Sequence, residues 1–450
     1  MATDDWSLLP GCRERPIIHW VSPLPPLPTD IAHYTRRILP SLAEHADVVL
    51  WTSQEEWDTD LQAHAEVRRF DPRAGCPMPM QDLRARRAEH GAIFFNIGNS
   101  WIFHQDIYAL SRRVPGVVVL HDVVLQEFFR DMVRNGFLEP CIYRSAMGRH
   151  YGRDAGGDEV AAIADAVCRT GDLSRETLAR FPMFEAAIEH AVAALVHTTP
   201  GLEAIAARGL VPAYSLELPF EVGPRVSGKR AESGPLRLLQ FGHIGPNRRL
   251  METLRALHEV RDRIDFQFEI CGAVWDATAV RRLVDELDLS SRVTLRGFVP
   301  EPELDAAIAR AHLVFNLRYP TMGEASGSQL RIWNKAALSV VSRLGWYASL
   351  PDDCLIKISV ENEHRELVGL LEEMAEDRMR FRARAEAGRT HLERRHGTLR
   401  YAAGILEIAE SFRRDAGDYL LASAAAPILG ERLESSNRDL LRNAFLRSMA

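Results

Sequence analysis

The chain has 450 residues, 46% hydrophobic and 26% charged, a balance that suits a soluble globular protein of two or three domains with full cores. A net charge of -7 with a pI near 6.2 argues against nucleic acid as a main partner. Six cysteines, at 12, 76, 141, 168, 271 and 354, form no Cys-x-x-Cys pair and no metal-type spacing, and no apolar run reaches about 18 residues, so the reading is a cytoplasmic protein with reduced thiols, no signal peptide and no membrane span.

Short apolar runs at 17–21, 48–52, 93–97, 117–121 and 194–198 alternate with helical stretches, the first after Asp30, and predict a parallel sheet with helices on both faces. A patterned, mainly helical insertion covers about 125–190. The Gly, Pro, Ser and charge-rich stretch 223–235 reads as an interdomain linker, which sets a first domain at 1–228. A second alternating unit at 229–395 has strands at 236–241, 266–270, 293–297, 313–317, 338–342 and 355–358. Helical, charged residues 396–450 follow and are expected to pack back on the first domain.

Two loops of the second unit carry chemistry. After strand 236–241 comes Gly242-His-Ile-Gly-Pro-Asn-Arg-Arg249, with Asn247 where a helix N-cap belongs and Arg248 and Arg249 in the first turn. Cations there oppose the helix dipole unless an anion intervenes, so the pair reads as a diphosphate clamp, with two solvated surface arginines as the plainer alternative. After strand 313–317, Glu324 stands as one acid in a loop of small residues. Gly323 and Gly327 let backbone approach a ligand, Ser326 and Ser328 can cap the next helix, and that helix's first N–H groups suit an anion. In open parallel sheets ligands bind beyond the carboxyl ends of strands, which adds Gly297-Phe-Val299, Arg318 and, from the first domain, His121-Asp122.

With these residues in place, the chain resembles the retaining glycosyltransferases of family 4. The likeness runs from Ser22-Pro-Leu-Pro-Pro26 through Val118-Val-Leu-His-Asp122, Phe241-Gly-His-Ile-Gly-Pro-Asn-Arg248, Arg292-Val-Thr-Leu-Arg-Gly-Phe-Val299 and Pro320-Thr-Met-Gly-Glu324 to Gly345-Trp-Tyr-Ala-Ser-Leu-Pro351. The resemblance implies an α/β GT-B fold, two facing Rossmann-like doubly wound domains with an interdomain cleft. It implies transfer of a sugar from a nucleotide-diphosphate donor to a hydroxyl, with retention, no metal and no cofactor. The acceptor would be a carbohydrate, a lipid-linked molecule or a small molecule. Arg248 then grips the donor diphosphate with Arg318 or Arg249 assisting, Gly242 and His243 line its loop, and the backbone of Gly297, Phe298 and Val299 meets the base. Glu324 holds sugar hydroxyls beside Gly323 and the amides of Ala325, Ser326, Gly327 and Ser328, and His121 reaches the sugar. Asp30 and Asp122 fall on the acceptor side.

The chain departs from that pattern. Ile332 stands where the second acid of the Glu-x7-Glu motif belongs, Pro28-Thr-Asp30 replaces a glycine-bearing loop, His243 replaces an arginine, and Arg343-Leu-Gly-Trp346 replaces Asp-x-Gly-Trp. These changes favour an alternative, a glycosyltransferase-like binding or scaffold subunit without turnover. Another GT-B enzyme, an epimerase or a phosphorylase, is a third. Asp58-Thr-Asp60 is a literal Asp-x-Asp but follows polar residues rather than a buried strand, so a metal site there is not expected. Basic clusters at 84–87 and 378–395 suit either solvated helix faces or peripheral contact with anionic lipid. Trp346 and Tyr347 read as core packing at least as well as a sugar platform.

Overall fold

The computed structural model describes residues 15–72, 91–114, 116–225 and 230–412. The arginines at 84, 86 and 87, Cys12, Cys76 and most of the terminal segment 396–450 lie outside them. The described chain separates into two compact units: residues 15–197, 201–216 and 398–412, and residues 198–200 and 217–397.

The first unit is built on β1 (Ile17–Val21), β2 (Asp47–Thr52), β3 (Glu66–Arg69), β4 (Gly91–Ile97), β5 (Val117–Leu120), β6 (Ala193–Val196) and β7 (Ala213–Ser215). Their order is β3-β2-β1-β4-β5-β6-β7, with every pairing parallel. Strands β4, β5 and β6 are buried at every position, and their nearly unbroken apolar sequences are what a strand covered on both faces requires. Edge strands β3 and β7 read Glu-Val-Arg-Arg and Ala-Tyr-Ser, with no apolar run, so sequence pattern gives them no signal. The insertion forms five helices, Gln126–Arg134, Pro140–Ala155, Gly157–Thr170, Arg175–Arg180 and Phe184–Ile188. Their Phe128, Phe129, Tyr143 and Phe184 join the sheet's own core, each large side chain contributing about 1.5–3 kcal/mol by burial. The helical stretch 398–412 belongs here too: Tyr401 bonds the Tyr34 hydroxyl, and Ser41 Oγ donates to Thr398 Oγ1 at 2.8 Å.

The second unit holds β8 (Leu236–Phe241), β9 (Phe266–Cys271), β10 (Val293–Gly297), β11 (Leu313–Phe315), β12 (Ser339–Ser342) and β13 (Ile356–Ile358), in the parallel order β10-β9-β8-β11-β12-β13. Both sheets therefore reverse direction beside their first strand, between β1 and β4 and between β8 and β11. Loops leaving the carboxyl ends of such strand pairs diverge to opposite faces and open a crevice. Part of the expected linker is fixed: Gly223 N–H donates to Asn334 Oδ1 at 3.1 Å, and buried Arg389 donates to the Gly223 carbonyl at 2.6 Å.

Candidate functional site

The switch point of the second unit brings together the loops after β8 and β11. Gly242, at φ +100°, takes a backbone conformation that favours glycine, and a Cβ there would lie 3.8 Å from Ser328 Oγ, so the two loops face each other. Tyr319 N–H donates to the Asn247 carbonyl at 2.8 Å and ties them. Gly272 brings the loop after β9 so close that a Cβ would stand 2.1 Å from the Gly242 carbonyl oxygen.

The loop after β8 differs from the sequence expectation in two ways. Pro246–Arg248 forms a 3-10 turn and Arg249 takes the left-handed conformation at φ 58°, so the helix begins at Leu250 with Arg249, not Asn247, at the N-cap position. That turn folds Arg248 inward. A diphosphate clamp requires a side chain open to the ligand, yet Arg248 is 5% exposed, with a guanidinium N–H donating to the Phe241 carbonyl at 3.3 Å. Arg249 pairs with buried Glu363 at 3.1 Å and with Glu252 at 3.0 Å, and lies over the Tyr319 ring at 5.9 Å. Burial pushes the Glu363 carboxyl up, and Arg249 opposes that shift. His243 is exposed.

The loop after β11 is organised around Glu324. Its carboxylate accepts from Arg318, from the Thr321 hydroxyl at 2.9 Å and from Met322 N–H at 2.7 Å. Burial pushes this carboxyl up, but the Arg318 charge and the hydrogen bonds from backbone, Arg318 and Thr321 outweigh it, so it stays ionised below the usual carboxylate range. Gly323, at φ +78°, makes the turn that presents the acid. Ser326 caps the helix Gly327–Asn334, accepting from Gln329 N–H at 3.2 Å. A buried network, Asn316 to Gln329 at 3.0 Å and Gln329 to Ser339 at 2.8 Å, fixes that helix start against β11 and β12. Ala325 and Ser328 flank the cap and are half-buried. Ser328, in the first turn of this helix, lies beside Gly242, and a helix N-terminus is a positive end suited to an anion.

Gly297 ends β10, two strands from β8, and Phe298 and Val299 follow it. Gly297 is at φ +65°, its carbonyl accepts from Gly272 N–H at 2.6 Å, and Phe298 is 90% exposed. Ile332 is fully buried among Leu239, Phe241, Val314 and Ile308, so its position belongs to the core.

In the first unit, His121 and Asp122 follow β5. His121 Nε2 lies 3.1 Å from Asn96 Oδ1, and its ring meets Tyr34 edge-on at 4.7 Å and His197 at 4.9 Å. Burial, then His197 and His104, hold its pKa well below the ordinary value, so the ring is neutral. Asp122 accepts from Asn99 N–H at 2.8 Å. Asp30 is the exposed first residue of the helix Asp30–Ala43, where a carboxylate complements the helix dipole. Asp58 and Asp60 both pair with Arg36, which accounts for that motif within the fold. Trp346 and Tyr347 are buried, Trp346 against Trp333 at 6.3 Å.

Sequence reading missed Asn96, Tyr34, His197, Tyr401, Thr321 and Glu363. Asn96 had a signal, a lone amide in an otherwise apolar strand, and Thr321 stands only three residues from Glu324, while the others depend on contacts far apart in sequence. Among the described residues no group of three or more His, Cys, Asp or Glu could hold a metal ion, and no helix is long and apolar enough to cross a membrane.

Two Rossmann-like parallel-sheet units with these crevices have the fold of GT-B glycosyltransferases, and solved structures of that class match the chain. HepE of Anabaena, solved with UDP, superposes at a TM-score of 0.57 over 88% of this chain and 100% of its own, at 14% identity. Sucrose-phosphate synthase of Thermosynechococcus elongatus gives 0.57 over 88% and 99%, at 14% identity. A glycosyltransferase of Rickettsia africae gives 0.51 over 88% and 98%, at 9% identity. Neither a protein-family model nor a curated relative matches the sequence.

Proposed function

We propose that the protein is a retaining glycosyltransferase of family 4 type that moves a hexose from a nucleoside-diphosphate donor to a hydroxyl acceptor without a metal. The observation that carries this reading is the crevice between β8 and β11, where an ionised, oriented Glu324 stands beside a capped helix terminus and a glycine turn. Glu324 has lone pairs left after its three bonds and accepts from sugar hydroxyls. The diphosphate is met by the helix N–H groups, by Arg318 and by Arg248 once its guanidinium turns outward. Charge-assisted bonds of this kind contribute about 1.5–3 kcal/mol each, and one preorganised donor to developing charge accounts for about 100- to 1000-fold in rate. The acceptor hydroxyl attacks from the leaving-group face and a phosphate oxygen takes its proton. His121 orients the sugar, and Asp122 and Asp30 serve the acceptor. The acceptor is a carbohydrate, a lipid-linked molecule or a small molecule. HepE has been solved with UDP-glucose as well as UDP, which supports a nucleotide sugar as partner and puts uridine first among the bases to test.

A second reading, a binding or scaffold subunit without turnover, is favoured by the burial of Ile332 and Arg248. Thermal unfolding with UDP, GDP, CDP, dTDP and ADP and their common sugars separates the two from other functions, since a ligand bound only by the folded state raises Tm. One nucleotide should stabilise selectively, and hydrolysis or transfer of its sugar then distinguishes enzyme from scaffold. No shift with any of them at millimolar concentration rules out a nucleotide site.

A further inference from the structure

Strand β4 reads Gly-Ala-Ile-Phe-Phe-Asn-Ile, and its one polar side chain, Asn96, is fully buried. A buried amide is tolerated where its polar ends are bonded, and here the bonds fix its orientation. Nδ2 donates to the Val21 carbonyl at 3.1 Å, and a carbonyl only accepts. Oδ1 is therefore the atom 3.1 Å from His121 Nε2, and because Oδ1 also only accepts, Nε2 carries the proton. In the neutral ring Nδ1 is then a bare acceptor. The ring's one hydrogen bond among the described residues is to Asn96, and Tyr34 and His197 pack it into place, Tyr34 being tied through its hydroxyl to Tyr401.

We infer that Asn96 is a positioning residue that holds His121 as the Nε2–H tautomer, so that the Nδ1 lone pair accepts from a hydroxyl of the transferred sugar and selects a neutral hexose over a uronic acid. This rests on the reading that His121 meets the donor sugar. A hydroxyl can rotate its proton toward Nδ1. A carboxylate brings acceptor against acceptor, a mismatch expected to cost roughly tenfold or more in affinity.

Two measurements on the full chain test it. Nitrogen-15 NMR of labelled histidine, assigned with a His121→Gln variant, should show a protonated Nε2 and a pyridine-like Nδ1 at neutral pH. An Nδ1–H tautomer overturns the inference whatever the protein binds. Affinities are then compared within the pairs UDP-glucose and UDP-glucuronate, and GDP-mannose and GDP-mannuronate. The hexose member should bind roughly tenfold or more tightly. Asn96→Asp should narrow that gap, because a carboxylate still accepts from Nε2 while its charge favours the imidazolium, whose Nδ1 donates. A purely structural Asn96 would leave the ratio unchanged in that variant. Equal or tighter binding of the uronate by the native protein overturns the inference. If no member of either pair binds, the donor reading itself has failed and the specificity falls with it, while the tautomer result stands alone.

Discussion

Glu324 is the residue on which the functional reading turns, and its neighbours say how a change there should behave. Arg318, Thr321 and Met322 N–H hold the carboxylate from the protein side, leaving its remaining acceptor capacity to a ligand. Glu324→Ala should abolish sugar transfer while leaving nucleotide affinity within a few-fold, read as a fall in kcat against binding of the free nucleotide; a variant with full turnover would remove the role. Arg249 should behave differently. Its guanidinium is committed to Glu363, whose side chain is 5% exposed. Arg249→Met strands a buried carboxylate and should destabilise the fold by about 3–5 kcal/mol, and restoration by the added change Glu363→Met would show that the loss came from the orphaned charge. In the local sequence Arg248 and Arg249 form one basic pair, told apart only by the family resemblance. The pairing of Arg249 depends on a glutamate 114 positions away, and no local pattern encodes that.

At the scale of single elements, the helix Gly327–Asn334 shows what the sequence made legible and what it concealed. The apolar strand, the glycines and the serine cap were all readable, because strand burial and helix capping are local rules. The loop before the helix Leu250–Val260 was misread because Pro246 starts a 3-10 turn as readily as it follows a cap, and only the left-handed Arg249 settles where the helix begins. Ile332 has a similar lesson. From the motif it is a missing acid; from the packing it is a fully buried member of a cluster with Leu239, Phe241 and Val314. Ile332→Glu should therefore fail to improve nucleotide binding and should cost more than about 3 kcal/mol, as an unpaired charge in an apolar site does. Denaturant titration measures the loss, and a stable variant with tighter nucleotide binding would reinstate the position as a ligand.

Across the whole molecule, buried imidazoles set a pH limit. Burial pushes His104, His197 and His396 down to about 4 from an ordinary 6.5, and holds His121 well below its usual value. An unfolded chain takes up these protons as pH falls below 6.5, and the folded chain does not until near 4. Stability present above pH 6.5 is lost through that window, at about 1.4 kcal/mol per pH unit for each histidine. Calorimetry between pH 8 and 4.5 should show Tm falling, most steeply for the unit that carries His104, His121 and His197. A flat Tm would mean that these rings are solvated. The alternation of strands and helices made both sheets readable in advance, whereas edge strands β3 and β7, too short and polar for a pattern, were not.

The helical stretch 398–412 has a consequence for the order of synthesis. Residues 217–397 form a unit of their own, yet Tyr401 and Thr398, which follow them, bond to Tyr34 and Ser41 near the start of the chain. A ribosome therefore finishes the second unit while the first still lacks its closing helix. The first unit is begun before the second and completed after it, and a premature stop near residue 397 would damage the half already translated.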